Sequence, residues 1–206
     1  MSNFDFKKKV VLITGAGKGV GRILAEAFAD RGAFVAMNDI SPVNVEAVVS
    51  HIQAHGGIAK AYIDDIAKKV AVQALIKNVE DDFGRIDILI NHAAVEPHVS
   101  LLNMDEWDWH RTLDVNLTGA FLMIQSIGRV MREKSQGVII NIIAETGEEV
   151  EKEAGAYFAS MAALAELSRR ADYELSQFGI RVFAVENHDR QKIVEAVMSV
   201  LNQEVR

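Results

Sequence analysis

The chain has 206 residues, half of them apolar, no cysteine, and a formal net charge of −7 at pH 7. This length suffices for a single domain with one sizeable core. The negative charge disfavours nucleic acid and anionic membranes as partners, and the lack of cysteine excludes thiolate metal sites and cysteine nucleophiles. No apolar run reaches the ~18 residues that span a bilayer, and the N terminus does not resemble a signal peptide, so we expect a cytoplasmic protein.

Apolar segments of strand length alternate with segments of helical periodicity. The predicted strands are Val10–Thr14, Phe34–Asp39, Ala59–Asp64, Ile86–Asn91, Val138–Ile143 and Arg181–Val185. The predicted helices are Gly19–Asp30, Val43–His55, Lys68–Phe83, Asp105–Arg132, Ala154–Phe178 and, approximately, Arg190–Glu204. Strands without polar alternation are typical of a sheet buried on both faces. We therefore predict an α/β fold with a doubly wound parallel sheet, strand order 3-2-1-4-5-6 and no seventh strand.

A glycine-rich turn, Thr14–Gly21 (TGAGKGVG), joins the first predicted strand to the first helix. Glycines let a backbone turn tightly and approach a pyrophosphate, which then lies at the positive end of the helix. Asp39 ends the second strand about twenty residues later, where an acid binds the ribose of adenosine. The glycines could instead serve only the turn and the packing of helix on sheet. The context favours a dinucleotide site.

With this turn and Asp39, the chain resembles the short-chain dehydrogenase/reductase family, whose motif is TGxxxGxG. The resemblance implies a Rossmann fold and a preference for NAD over NADP, because Asp39 has no basic neighbour. It implies the following cofactor-binding residues: Gly15, Gly19, Gly21, Asp39, Asp64 and Asn91. Residues 91–94 (NHAA) stand where the family has Asn-Asn-Ala-Gly. Ala94 adds a methyl group where the backbone passes close to the cofactor, so we expect NAD binding to be weak or absent.

The resemblance continues through Asp114–Gly119 (DVNLTG), which matches the segment that holds the family's structural and proton-relay asparagine, here Asn116. In the family the fifth strand ends in Asn-Ile-Ser-Ser, and the second serine binds the substrate oxygen. Here residues 141–144 are Asn-Ile-Ile-Ala. The resemblance therefore implies that Ala144 replaces the catalytic serine. Beyond residue 185 the resemblance ends.

The family's Tyr-x-x-x-Lys pair corresponds to Tyr157 and Met161. Residues four apart share one helix face, where a lysine would lower the pKa of the phenol. A phenol with an ordinary pKa of about 10 is ionised in only about one molecule in a thousand at pH 7. Loss of one preorganised donor such as the serine typically costs on the order of 100- to 1000-fold in rate. We therefore predict that Asn116 and Tyr157 are remnants of a catalytic set without function.

After the sixth strand the family has Pro-Gly and a long mobile lid over the substrate. Here Val185 is followed by residues 186–189 (ENHD) and directly by the closing helix. The single domain, residues 1–206, is therefore predicted to lack the lid and the final strand. The acidic segment Glu145–Glu153 would flank the cleft and oppose anionic substrates, or it is a solvated loop. Lys152, within it, remains an alternative source of the missing ammonium.

The remaining polar and aromatic residues suggest no further site. The six histidines show no metal-ligand spacing, and His51 and His55, four residues apart, lack a third ligand. No metal site is therefore predicted. Trp107 and Trp109, near the start of the long helix, are expected to pack against the protein.

The resemblance implies that the catalytic serine, the lysine and the lid are all lost, and each of them serves dehydrogenase activity. The glycine turn, the strands and the helical periodicity are retained. By resemblance, family members pair through the two long helices, here Asp105–Arg132 and Ala154–Phe178. The second is rich in small residues: Ala154, Gly155, Ala156, Ala159, Ala162, Ala163 and Ala165. We predict a non-catalytic subunit of a hetero-oligomeric NAD-dependent dehydrogenase, joined to a catalytically active paralogue in a 2+2 heterotetramer. The alternatives are a weak NAD-dependent alcohol dehydrogenase that uses Tyr157 and Asn116, and an NAD(H)-sensing regulator.

Overall fold

The computed structural model describes residues 5–144, 153–187 and 192–203. The strands are β1 Val10–Thr14, β2 Phe34–Asp39, β3 Ile58–Ile63, β4 Ile88–Asn91, β5 Gly137–Ile143 and β6 Ile180–Glu186. The helices are α1 Gly19–Asp30, α2 Pro42–Ala54, α3 Lys69–Phe83, α4 Glu106–Leu113, α5 Ala120–Glu133, α6 Gly155–Leu175 and α7 Ile193–Gln203. A π-helical turn, Asp114–Gly119, joins α4 to α5, and a 3₁₀ turn, Ser176–Phe178, follows α6.

The strands form one six-stranded sheet in the order β3-β2-β1-β4-β5-β6. Every neighbouring pair is parallel. The predicted fold class and strand order are therefore confirmed. The chain leaves β1 toward one edge of the sheet and returns at β4 to build the other half, so a crevice opens between β1 and β4 at their carboxyl ends.

The sheet separates two apolar layers. One layer packs α1, α2 and α7 against the sheet, with Leu24, Phe28 and Val45 fully buried. The other packs α3, α5 and α6 against the opposite face, with Leu75 and Met131 fully buried. The strands β1, β4 and β5 are buried throughout, as predicted, whereas the edge strands β3 and β6 are partly exposed. Each edge strand has a neighbour on only one side, which explains the difference.

The predicted long helix Asp105–Arg132 is not continuous. The π-helical turn Asp114–Gly119 divides it, and single π-helical turns of this kind occur frequently at functional sites. The amphipathic pattern did not reveal it, because one wide turn shifts the helical phase only slightly. The expectation that Trp107 packs is wrong, since its side chain is 70% exposed, whereas Trp109 is 37% exposed.

The last described helix, α7, returns to the layer that contains α1. Its residues Ile193, Val197 and Leu201 are buried in that layer. The acidic segment predicted over Glu145–Glu153, including Lys152, lies outside the described residues except for Glu153. In the described ranges, none of the helices is both long and apolar enough to cross a membrane.

Candidate functional site

A cleft of about 650 Å³ opens at the carboxyl ends of the central strands, on the crevice between β1 and β4. Open parallel sheets bind ligands at this position. Its walls come from the glycine turn, the ends of β2, β3, β4 and β6, the π-helical turn and the start of α6. They include the following predicted site residues: Gly15, Gly19, Asp39, Asp64, Ala94 and Tyr157.

The glycine turn has the geometry of an anion cradle. Gly15 and Gly19 have φ angles of +66° and +56°, which favour glycine. A Cβ atom on Gly21 would lie 2.2 Å from the carbonyl oxygen of Gly15, so only glycine allows α1 to pack on the turn. A Cβ atom on Gly19 would meet nothing within 4 Å, so its backbone faces open space. Lys18 makes no side-chain cap, which leaves the first amides of α1 able to bind an anion.

The Asp39 carboxylate is held at the edge of the cleft by two backbone amides. Its Oδ2 accepts a hydrogen bond of 2.9 Å from Gly17 N, and its Oδ1 accepts one of 2.9 Å from Ser41 N. A Cβ atom on Gly17 would lie 2.8 Å from Oδ2, so the lack of a side chain at Gly17 makes room for the acid. Each oxygen retains lone pairs that could accept hydrogen bonds from ribose hydroxyls.

Asp64 follows β3 and faces the same cleft. Partial burial raises the pKa of its carboxyl group above the ordinary value. The side chain of Asn38 donates hydrogen bonds to the carbonyl oxygens of Tyr62 (3.2 Å) and Asp64 (3.0 Å), which ties β2 to the end of β3. Asn38 therefore positions Asp64. No sequence pattern points to Asn38, because its role depends on contacts between two strands.

His92 joins the end of β4 to the glycine turn. Its Nδ1 lies 3.2 Å from the carbonyl oxygen of Gly15, so Nδ1 carries the proton and donates it. Burial lowers the pKa of this imidazole and outweighs the opposing effects of Gly15 and Asp39, so the ring is neutral near pH 7. Thr14 Oγ1 accepts hydrogen bonds from the amides of His92 (3.1 Å) and Ala93 (3.2 Å). In the sequence, His92 stands out only as a replacement within residues 91–94, and no local pattern predicts this link.

Asn91, which the resemblance implied as a cofactor residue, lies inside the sheet. Its Nδ2 donates to Asn141 Oδ1 at 2.8 Å, and Asn141 Nδ2 donates to Ser168 Oγ at 2.8 Å. Ser168 in turn donates to the carbonyl oxygen of Leu164 at 2.6 Å. This buried chain connects β4, β5 and α6. Asn91 thus fixes the strands beneath the cleft and does not line it.

The side chain of Asn116, in the π-helical turn, forms hydrogen bonds within the protein through both its amide oxygen and its amide nitrogen. Its Oδ1 accepts from Val95 N at 2.8 Å, and its Nδ2 donates to Val95 O and to Ser160 Oγ, both at 3.0 Å. Ser160 then donates to the carbonyl oxygen of Tyr157 at 2.6 Å. Asn116 therefore links the segment after β4 to the first turns of α6 and helps to place Tyr157 beside the cleft.

The three positions of the family's catalytic set lie together, but two of them are apolar. Met161 is only 3% exposed and belongs to an apolar cluster with Ile143 and Leu164, and both Ala144 and Tyr157 pack against it. Tyr157 is half-buried, lines the cleft, and meets the Phe158 ring edge-on at a centroid distance of 5.4 Å. The methyl group of Ala144 and the thioether of Met161 offer no proton donor.

The cleft therefore has two chemically different ends. The end formed by the glycine turn and Asp39 fits the pyrophosphate and ribose of an adenine dinucleotide. At the other end, Tyr157 lines the cleft and packs against an apolar cluster that contains Met161, at the positions where the family has a hydroxyl and an ammonium. Among the residues that the structure describes, no three His, Asp or Glu side chains are arranged to hold a metal ion.

The model of the family described as short chain dehydrogenase matches residues 9–188. An uncharacterized oxidoreductase of Thermotoga maritima is 39% identical over 181 residues, which are 88% of this chain and 71% of that protein. The subunit BbsD of (2S)-[(R)-hydroxy(phenyl)methyl]succinyl-CoA dehydrogenase from Thauera aromatica is 37% identical over 183 residues, 87% of this chain and 72% of that subunit.

Solved structures agree with this similarity. NAD⁺-bound xylitol dehydrogenase superposes with a TM-score of 0.84 at 30% identity, over 89% of this chain and 71% of that one. A metagenomic short-chain oxidoreductase in complex with NADP superposes with a TM-score of 0.91 at 28% identity, over 98% of this chain and 95% of that one. The sheet order, the glycine turn and these matches agree, and the chain belongs to the short-chain dehydrogenase family.

Proposed function

We propose that this chain is a non-catalytic subunit of a hetero-oligomeric short-chain dehydrogenase and supports an active paralogue. One observation carries the proposal: Met161 is 3% exposed in an apolar cluster, and Ala144 and Tyr157 pack against it. General acid–base catalysis by a phenol requires a neighbour that lowers its pKa toward the working pH. Neither residue can lower the pKa of a phenol or bind a substrate oxygen.

The glycine turn and Asp39 support binding of the adenosine end of NAD. Bound NAD supplies a hydride acceptor, which the active subunit would use. This chain would bind the pyrophosphate through the amides of α1 and the ribose through Asp39, whose carboxylate would repel the 2′-phosphate of NADP. Each missing charge-assisted bond is worth roughly 1.5–3 kcal/mol, so we expect NAD affinity to be reduced by about tenfold or more.

The partner we propose is an active short-chain dehydrogenase in a 2+2 heterotetramer. A finer hypothesis is that the complex is a 2-[hydroxy(phenyl)methyl]succinyl-CoA dehydrogenase of aromatic-compound degradation. The likeness to BbsD supports it, because that relative is itself named as a subunit. The Thermotoga maritima oxidoreductase is equally similar, at 39% identity, so identity does not single out this substrate.

Steady-state turnover of the isolated chain tests the proposal. With NAD and a panel of secondary alcohols, we expect no measurable rate from the wild type. The double variant Ala144→Ser/Met161→Lys should also be inactive, because position 161 is enclosed by apolar side chains that would not direct an ammonium to the cleft. A rate that falls on Tyr157→Phe would refute the proposal and support the weak alcohol dehydrogenase instead.

A second candidate function is an NAD(H)-sensing regulator. The observation in its favour is the intact pair of Asp39 oxygens, each held by a backbone amide. Such preorganisation is expected where a ligand is bound, whether or not chemistry follows. Calorimetric titration distinguishes the NAD(H)-sensing regulator from the non-catalytic subunit. A low-micromolar dissociation constant for NAD would favour the regulator.

A further inference from the structure

The strand β6 lies at one edge of the sheet, and in the described part of the chain it pairs with β5 alone. Two hydrogen bonds show which of its backbone groups face β5. Gly137 N donates to Gly179 O at 3.2 Å, and Asn187 N donates to Ile143 O at 3.0 Å. Because successive residues of a pleated strand face opposite sides, the odd-numbered residues of β6 direct their backbone groups toward β5 and the even-numbered ones direct theirs outward.

This outward row of backbone groups could pair with a strand of another molecule. An edge strand with unpaired N–H and C=O groups is a template for such pairing, and natural sheets protect their edges against it. The strand is seven residues long, which is sufficient for a stable ladder. Its outward-facing residues include Val182 in the middle and the exposed Ala184.

An ion pair covers this edge at Val182. Asp172, on α6, accepts a hydrogen bond of 2.9 Å from Val182 N through its Oδ1. The same oxygen accepts one of 2.8 Å from Arg181 Nε, and Oδ2 accepts one of 3.2 Å from Arg181 Nη2. Asp172 and Arg181 are called the edge ion pair below. Its carboxylate occupies the place from which an added strand would offer a carbonyl oxygen to Val182 N.

The two side chains of the edge ion pair come from opposite faces of the sheet. Arg181 lies over the ring of Phe183, 5.0 Å from its centroid, and Phe183 packs against the layer that contains α1. Asp172 belongs to α6, which packs in the other layer, where Val182 is buried. The edge ion pair therefore crosses the edge of the sheet from one face to the other, and an added strand would have to displace it.

Displacement of the edge ion pair is unfavourable at neutral pH. Burial raises the pKa of Asp172, but the hydrogen bonds from Arg181 and from Val182 N outweigh this effect, so the pKa lies below its ordinary value and the carboxylate is ionised. An added strand would separate a carboxylate from a guanidinium that holds both of its oxygens, an arrangement among the stronger hydrogen-bonded pairs in proteins.

We propose that the edge ion pair of Asp172 and Arg181 blocks the addition of a strand to β6 and so protects this chain from association through its sheet edge. The part of β6 beyond Val182 is shorter than a typical strand of about 5–6 residues, so blocking the middle of the strand is sufficient. The inference goes beyond the proposed function and does not depend on it.

Removal of the carboxylate tests this inference. Asp172→Ala exposes Val182 N, and at neutral pH the variant should form assemblies with intermolecular β-structure at least about tenfold faster than wild type. Light scattering follows the rate, and the amide I infrared band identifies the intermolecular strands. Asp172→Asn, which loses the charge, should also associate faster and replaces Asp172→Ala if that variant fails to fold.

A second substitution separates edge pairing from general destabilisation. Ala184→Pro removes an outward N–H that an added strand would need, and proline is tolerated on edge strands. The double variant Asp172→Ala/Ala184→Pro should therefore return close to the wild-type rate, whereas aggregation caused by unfolding would persist, because proline does not restore the lost ion pair.

The matched control is Glu166→Ala, which removes another α6 carboxylate that accepts hydrogen bonds from Arg169 and Arg170, away from the edge. It should associate as slowly as wild type. Circular dichroism checks the fold of each variant. Asp172→Ala that associates no faster than wild type would overturn the inference, as would an acceleration that Ala184→Pro does not reduce or that Glu166→Ala reproduces.

Discussion

At the level of single residues, the side chain of Met161 is the main support for the proposed loss of proton-transfer chemistry. It lies in an apolar cluster against Ile143 and Leu164, not in the cleft. A lysine at this position would have to bury its ammonium or force the cluster apart, and burial of an unpaired charge costs several kcal/mol. If the proposed loss of chemistry is right, it follows from the packing around Met161 and from more than one missing charge.

His92 gives a prediction that depends on pH. Burial lowers the pKa of its imidazole in the folded state, whereas the unfolded value is about 6.5. Below pH ~6.5 the unfolded chain binds a proton that the folded chain does not, so the contribution of His92 to stability falls as pH decreases. We expect His92→Asn to remove this dependence and to cost roughly 1 kcal/mol or less at pH 7.5.

Urea unfolding of wild type and His92→Asn between pH 5 and 8 provides the measurement. The control His55→Asn changes the exposed histidine that caps the C-terminal end of α2 and should leave the pH dependence of wild type in place. If the free energies of unfolding of wild type and His92→Asn change in parallel with pH across this range, the assignment of His92 as a buried neutral imidazole is wrong.

At the level of elements, the sequence predicted those whose ends are marked by local patterns. The strands β1 and β2 and the helix α1 begin and end at the predicted residues. The glycine turn and Asp39 could also be predicted, because each belongs to a local sequence pattern. The π-helical turn was not, nor was the contact between His92 and Gly15, which joins residues 77 positions apart. Such features depend on packing between elements and leave no periodic signal.

We expect the π-helical turn to contribute to the stability of the fold more than to catalysis. Asn116 makes three hydrogen bonds, two of them to the backbone of Val95 and one to Ser160. Asn116→Ala removes the side-chain partner of the half-buried N–H and C=O groups of Val95, so we expect a loss of about 1–3 kcal/mol in the free energy of unfolding. Ser160→Ala removes a smaller share of the network and should cost about 1 kcal/mol. Equal, small losses in urea denaturation would show that the link does not hold α6 in place.

The two ends of the cleft predict an unusual ligand preference. Because the polar contacts lie at the glycine turn and Asp39, ADP-ribose should bind within about threefold of NAD, with the nicotinamide adding little. Asp39→Ala should weaken both ligands by about tenfold, the value of one charge-assisted hydrogen bond. Glu96→Ala, an exposed change elsewhere in the cleft, serves as the control. Calorimetry that finds NAD bound far more tightly than ADP-ribose would contradict this division of the cleft.

For the whole molecule, an intact fold accompanies an altered site. The sheet order, the two apolar layers and the cleft are those of the family, and a chain of hydrogen bonds from Asn91 through Asn141 to Ser168 runs beneath the cleft. A chain that only needed to fold would not require Asp39 to be held by two amides. A lysine-dependent phenol would not be served by Met161 in an apolar cluster. The supporting subunit that we propose would account for both observations.

Assembly with an active paralogue from the same genome is the corresponding prediction. On co-expression we expect a complex with two copies of each chain by size exclusion and native mass measurement. Ala159 is exposed near the start of α6, so Ala159→Glu should reduce association and lower the activity or stability of the paralogue. Ala74→Glu makes the same change at an exposed position on α3 and should have no effect. Recovery of homo-oligomers alone, with the paralogue fully active by itself, would show that this chain is not its supporting subunit.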